Sequence, residues 1–200
     1  VVQVVGATTM KLCQKDVGEE IAVILGPLGQ PSIVNKVNHV VCVCGGIGVA
    51  PMFPIAQAFK KIGSRLTVII GARNKDLIVF EEEMKSIADE LIITTDDGSY
   101  GRKALVTAPL KELCEQEVPP ETTRPFNVPT TVSLNTIMVD GTGMCGCCRI
   151  TVGNEVKFVC VDGPDFDAHK VDFDNMMMRM KAFRGREDQD RHKCKSGIFN

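Results

Sequence analysis

Between residues 37 and 115 the apolar positions follow two alternating rhythms. A continuous apolar run at 40–44 and short, mostly apolar runs at 66–70 and 91–95 read as strands buried on both faces. Between them, apolar residues recur every three or four positions, which predicts helices from the glycine turn after Cys44 to about Ile62, over 79–89 and over 106–115. Thr107 is placed to cap the last of these. Pro109 falls in its first turn, where a missing N–H is tolerated. Such alternation predicts an α/β fold with a doubly wound parallel sheet.

The flanks follow other patterns. Residues 1–5 and 21–25 read as strands, the second closed by Gly26-Pro27-Leu28-Gly29. Gly6-Ala7-Thr8-Thr9 reads as a turn opening a short helix near 10–13. Residues 1–30 thus look like the tail of a β domain too short to close a barrel. Residues 1–5 lack a basic n-region and a cleavage site and so do not read as a signal peptide, and with no initiator Met the chain reads as starting inside a longer protein. Pro119, Pro120, Pro125 and Pro129 break regular structure over 117–129. Beyond them come a strand at 131–134, a hairpin of 149–152 and 156–159 around Gly153-Asn154, and a loop at Asp162-Gly163-Pro164. A helix over 172–183 gathers Phe173, Met176, Met177, Met180 and Phe183 on one face. Core packing is the simplest use of that face, and a partner subunit is the other. The tail, 184–200, is a mixed-charge run with an unassigned Cys194. His169 and His192 read as surface residues.

Composition narrows the class. The 200 residues are 44% hydrophobic and 24% charged with a formal net charge of -2, which gives no basic surface for nucleic acid. No apolar run is long enough to span a membrane. Nine cysteines, three of them crowded at 145, 147 and 148, make a poor disulfide framework and a good metal loop. Cys42 and Cys44 sit in a predicted strand as small hydrophobes, which suits a reducing, cytoplasmic compartment.

The densest chemistry is Asp140-Gly-Thr-Gly-Met-Cys145-Gly-Cys147-Cys148, followed by Cys160. Read as D-x4-C-x2-C-x11-C, it is the plant-type [2Fe–2S] spacing with aspartate in the first cysteine's place. Gly141, Gly143 and Gly146 let the loop curl. Asp140, Cys145, Cys148 and Cys160 are the candidate ligands, and Cys147 is the surplus thiol. Structural zinc on three cysteines and an aspartate is the alternative, although the second C-x2-C pair of a zinc ribbon is missing.

The second candidate site lies at the carboxyl ends of the predicted strands, where open α/β sheets bind ligands. Gly45-Gly46-Ile47-Gly48-Val49-Ala50-Pro51 leads from strand to helix and leaves backbone N–H groups open to a pyrophosphate; a tight strand–helix turn is the plainer reading. It is not a G-x-G-x-x-G motif. Gly71-Ala72-Arg73 offers a guanidinium suited to a ribose or phosphate. Thr94-Thr95-Asp96-Asp97-Gly98-Ser99 offers hydroxyls and carboxylates. Taken singly, Arg73, Asp96 and Asp97 read equally as solvated loop residues.

Together these segments, with Thr95-Asp96-Asp97-Gly98-Ser99-Tyr100-Gly101 and Val139–Gly146, resemble the ferredoxin–NADP reductase superfamily over nearly the whole chain to about residue 180. The resemblance is strongest to the small subunit of NADH-dependent ferredoxin:NADP oxidoreductase (sulfide dehydrogenase), with the electron-transfer subunit of dihydroorotate dehydrogenase a near relative. Aspartate at position 140 matches the former; the latter has cysteine there. The resemblance implies a partial flavin-type β-barrel (1–30), an NAD(P)-binding α/β domain (31–130) and a small C-terminal [2Fe–2S] domain (131–183). It implies Gly6, Thr8 and Thr9 at the FAD pyrophosphate, Gly46, Gly48 and Arg73 near NAD(H) or NADP(H), and Asp140, Cys145, Cys148 and Cys160 as cluster ligands. It implies hydride transfer from NAD(P)H to flavin, then single electrons through the cluster to a larger flavin/iron–sulfur subunit. Two departures stand out: the larger part of the barrel is missing, and Val118-Pro119-Pro120-Glu121 stands where the family has a further strand and helix. A fragment, or a redox-inactive metal-binding assembly module, is the reading those departures favour.

Overall fold

In the computed structural model, residues 1–4, 6–116 and 128–182 are described. The Pro-rich stretch at 117–127, the position of Phe183, and the tail with His192 and Cys194 lie outside them. The chain divides into two compact units: residues 32–129 with Val1, and residues 2–31 with the chain from Thr130 onward. The N-terminal stretch expected as a separate module belongs with the C-terminal one.

That stretch opens with α1 (Ala7–Cys13). The Gly6 N–H donates to Thr9 Oγ1 at 3.1 Å and the Thr9 hydroxyl returns to the Gly6 carbonyl at 3.1 Å, so the helix start is closed by its own third residue. The strands expected at 1–5 and 21–25 do not form among the described residues. Val2, Val4, Val23, Ile24 and Leu25 are exposed. A strand needs a neighbour to take its N–H and C=O groups, and none of the described strands pairs with either run. The barrel remnant therefore has no sheet among the described residues.

The first unit is a parallel sheet. β1 (His39–Gly45) leads through a short 3-10 turn (Gly46–Gly48) into α2 (Val49–Lys61), then β2 (Arg65–Ala72), α3 (Glu81–Ile87), β3 (Glu90–Thr95), β4 (Arg102–Lys103) and α4 (Thr107–Gln116). The strands lie in the order β1-β2-β3-β4, all parallel. That order contains none of the reversal that double winding requires. Period-two alternation divides the strand residues between the faces. Cys42, Cys44, Leu66, Val68 and Ile70 pack with Val49 and Ala56 of α2 and Met84 of α3. On the other face Gly71 abuts Val106: a Cβ there would stand 2.2 Å from Val106 Cγ1. Leu66, Val68, Ile69 and Ile70 are all but sealed from solvent, and burial of each is worth about 1.5–3 kcal/mol.

α3 is shorter than the 79–89 pattern predicts. Phe80 sits at φ 62, which starts the helix abruptly, and three glutamates in the first turn suit its positive end. Extended Ala88 ends it, freeing the Asp89 N–H to reach the Leu66 carbonyl at 2.9 Å. The Asp89 carboxylate accepts from Leu66 N–H at 2.8 Å and from Lys60 Nζ at 2.5 Å, tying α2, β2 and the turn before β3 together.

The second unit holds two small antiparallel pairs. β5 (Thr131–Ser133) pairs with β8 (Asp165–Asp167), and β6 (Arg149–Val152) forms the expected hairpin with β7 (Glu155–Phe158). A single helical turn, α5 (Val159–Asp162), stands where the sequence suggested the hairpin's end and a loop. α6 (Phe173–Lys181) begins after Asp172, whose carboxylate accepts the Asn175 N–H at 2.9 Å. The core is Leu134, Cys148, Ile150, Val159, Cys160, Phe166 and Val171. Among the described residues of the predicted apolar face, only Met176 packs on it. Phe173, Met177 and Met180 are exposed, because a core of seven residues offers α6 a narrow seat. The N-terminal stretch is clasped here: the Gln30 N–H donates to the Gly163 carbonyl at 2.7 Å and Gln30 Nε2 to the Val161 carbonyl at 3.1 Å. Gly29, at φ +76, makes that approach possible, since a Cβ would fall 2.3 Å from the Gly163 oxygen.

Candidate functional site

The metal-type loop runs from Leu134, in the core, to Cys148, also in the core. Between them the backbone turns through Gly141, Gly143 and Gly146, all at positive φ. Asp140 organises the curl. One carboxylate oxygen accepts the Thr142 N–H at 3.1 Å and the other the Cys145 N–H at 2.8 Å. These two backbone donors, Cys145 first, hold its carboxyl well below the usual carboxylate range, so it is an anion at neutral pH. Cys148 and Cys160 form a second grouping. Both are buried free thiols, with sulfurs 3.2 Å apart. Burial, then the Cys148 thiol, pushes the Cys160 thiol up to about 11. The Gly143 backbone N–H faces the same sulfur.

Cys145 is exposed, and its sulfur accepts the Cys147 N–H at 3.5 Å. A hydrogen bond with the Cys145 thiol, then burial, pushes the Cys147 thiol up. Its carbonyl accepts from Arg179 at 3.3 Å. The four expected donors thus stand in two pairs, Asp140 with Cys145 and Cys148 with Cys160. Among the described residues no three of His, Cys, Asp or Glu already converge on one metal position. His169 lies outside the loop, with its N–H on Asp167 at 3.0 Å. Leu28 is the contributor that motif reading missed. A Cβ on Gly141 would lie 2.8 Å from Leu28 Cδ1, so the clasped N-terminal stretch closes over the loop. No motif signals it, since the contact spans more than a hundred residues of sequence.

The second candidate site is the carboxyl edge of the parallel sheet. Register brings Gly45, Gly71 and Thr94 side by side across β1, β2 and β3. Gly46 is at φ 51, and a Cβ on Gly45, Gly46 or Gly48 would meet nothing within 4 Å, so the turn stands open. Arg73 is exposed and makes no ion pair among the described residues. The backbone after β3 is sewn to it: Asp96 N–H reaches the Ala72 carbonyl at 3.0 Å and Asp97 N–H the Arg73 carbonyl at 3.2 Å. Asp96 faces solvent. Asp97 is engaged at home, accepting the Ser99 hydroxyl at 2.6 Å and the Ser99 N–H at 2.9 Å, which hold its carboxyl below the usual range. Two buried oxygens near this edge, Thr94 Oγ1 and Asn74 Oδ1, have no partner among the described residues. Gly6 and Thr9 close the start of α1 on each other, and Thr8 is exposed beside them.

Residues 135–172 match the iron–sulfur cluster binding domain of dihydroorotate dehydrogenase B. The chain is 44% identical over 202 residues to the dihydroorotate dehydrogenase B (NAD(+)), electron transfer subunit homolog of Thermotoga maritima, covering 94% of this chain and 71% of that protein. It is 32% identical to the corresponding electron transfer subunit of Clostridium perfringens, over 84% of this chain and 73% of that one. A solved structure of an NADH-dependent reduced ferredoxin–NADP oxidoreductase, described in terms of flavin-based electron bifurcation, superposes with a TM-score of 0.84 at 40% identity, covering 96% of this chain and 75% of that one. The class is that of electron-transfer subunits of flavin and iron–sulfur oxidoreductases. Within it, the chain belongs to the family of dihydroorotate dehydrogenase B electron-transfer subunits and their homologues. Among its described residues, no helix is long and apolar enough to cross a membrane.

Proposed function

We propose that this chain moves electrons between NAD(P)H, FAD and a [2Fe–2S] centre and delivers them to a larger flavin/iron–sulfur subunit in the cytoplasm. The donor set fits such a centre. Asp140 with Cys145 supplies one pair of anionic donors and Cys148 with Cys160 the other, one pair for each of two irons. When bound, the centre stores and releases one electron at a time. The chain's own work is to curl, to bury one pair and to expose the other. Asp140 can hold loop N–H groups and still face a metal, because each carboxylate oxygen has two acceptor positions. Cys148 and Cys160 keep their side of the loop dry. Gly45, Gly46, Gly48 and Arg73, with exposed Asp96, form the proposed nucleotide edge. Asp97 shapes it through Ser99. Gly6, Thr8 and Thr9 are the proposed FAD pyrophosphate contacts, as part of a flavin-type barrel, and we take the sheet to be completed as a doubly wound one.

The observation that supports this most directly is the paired geometry of four donors on the very segment that matches an iron–sulfur domain. Anaerobic purification should give a coloured protein with about two irons and two acid-labile sulfides per chain. A colourless protein holding zinc would overturn the reading. Reduction by NAD(P)H distinguishes an active subunit from a redox-inactive assembly module. Asp140 in the first ligand position, and the ferredoxin–NADP oxidoreductase match, favour a partner of that type over dihydroorotate dehydrogenase.

A further inference from the structure

The unit made of residues 2–31 and the chain from Thr130 contains a cleft of about 210 Å³ that three residues of the metal-type loop, Thr136, Ile137 and Cys147, help to line and none of the four donors does. It lies against α6 and the start of β6, and its polar groups are unusual. Arg149 and Arg179 both line it, and neither makes an ion pair among the described residues. Among the described residues Arg179 donates only to the Cys147 carbonyl, and its Nε is buried without an acceptor. Thr136, 9% exposed, also lines the cleft, and its Oγ1 is buried without a partner. A guanidinium stays charged at any physiological pH, and a hydroxyl shut away from water needs a partner from elsewhere. Two unpaired cations and an orphaned hydroxyl around one cavity call for an anion. The remaining wall is Ile137, Met176, Met180 and Ala182, all apolar, with the Cys147 thiol beside them. A free phosphate would leave oxygens against that wall, whereas a carboxylate carrying a short apolar body matches both halves.

We propose that this cleft is a carboxylate-binding site. The carboxylate bridges the Arg149 and Arg179 forks, Thr136 turns about χ1 to donate its hydroxyl, and the ligand's hydrocarbon part lies on Ile137, Met176 and Met180. Because Thr136, Ile137 and Cys147 belong to the metal-type loop and Arg179 holds the Cys147 carbonyl, the occupant touches that loop directly. A free short-chain carboxylate and the side chain of an Asp or Glu on the partner subunit offer the same chemistry.

The test titrates the full chain with butyrate by calorimetry at constant ionic strength, a measurement that needs neither partner nor turnover. Saturable heat is expected. It should weaken about tenfold in Arg149→Gln, an exposed strand position, and less in Thr136→Val, with melting temperatures confirming both folds. A second arm rests on the partner proposed above and measures association with the larger subunit. If Arg149→Gln and added butyrate both weaken it, the occupant is a partner carboxylate. If butyrate binds the isolated chain but leaves association unchanged, it is a free one. Heat that never saturates and is identical in wild type and both variants, with association unaffected, overturns the site. That result would leave the iron and sulfide counts, and the electron-transfer reading, untouched.

Discussion

At single positions the two thiol populations behave differently for physical reasons. Cys42 and Cys44 are buried in β1. Desolvation pushes their thiols up to about 11 and about 12, with the Cys42 charge adding to the effect at Cys44. They are inert packing. Cys13 is exposed. Iodoacetamide at pH 8 should therefore label Cys13 in the folded chain and leave Cys42 and Cys44 unmodified until denaturant is added, which peptide mass mapping would show. At Asp140 the question is ligation. Asp140→Cys should keep a coloured protein and shift its reduction potential, because a softer thiolate replaces a carboxylate. An unchanged potential would mean that Asp140 serves the loop only as an acceptor for Thr142 and Cys145. Cys147→Ser should not bleach the protein. Loss of Cys145, Cys148 or Cys160 should. The Asp140–Cys160 spacing was legible in sequence because ligands on one loop are local. Leu28 over Gly141, and the unpaired arginines at 149 and 179, were not, since their meaning depends on contacts between distant segments.

At the level of elements, β1, β2 and β3 were readable from sequence to within a residue or two because short, mostly apolar and β-branched runs admit little else, whereas the two-residue parallel strand β4 carries no such run and was not. β8 was not, because three residues beside a Gly-Pro turn carry no periodicity and exist as a strand only through β5. The strands expected at 1–5 and 21–25 do not form among the described residues for the converse reason: apolar content without a neighbour makes no ladder. Packing between elements gives two sharper expectations. Gly71→Ala forces a methyl into Val106 Cγ1 and Thr94 Oγ1. It should cost about 1–3 kcal/mol in urea unfolding. Asp89 links α2 to β2, and its carboxyl is held low chiefly by the Lys60 hydrogen bond, then by the Leu66 N–H. A depressed folded pKa means that its stabilisation is present above the ordinary carboxylate pKa and is lost as pH falls through the depressed value. Asp89→Asn should thus lower stability at pH 7 and flatten the acid limb of the stability–pH curve. An equally steep acid limb would rule out Asp89 as a contributor.

Across the whole molecule, the two units have unequal means of support. The sheet unit buries eight residues in one apolar cluster, with further aliphatic and aromatic side chains packed against it. The other unit buries seven, two of which are the thiols Cys148 and Cys160, and ties its N-terminal stretch down through Gln30 on Gly163 and Val161. A core that small ordinarily needs a staple, and metal binding by four donors spread from residue 140 to residue 160 would be one. Folding and metal loading should therefore be linked in this unit and independent in the sheet. Hydrogen exchange on the iron-depleted chain is expected to show lost protection at Ile150, Thr151 and Val156, in the hairpin beside the loop. Val68, Ile69 and Ile70 at the centre of β2 should keep the rates of the loaded protein. If β2 opened together with the hairpin, the units would be one cooperative body. If neither changed, Leu134, Phe166 and Val171 would suffice as a core without a bound centre, and the loop would be an attachment to a scaffold that folds without it.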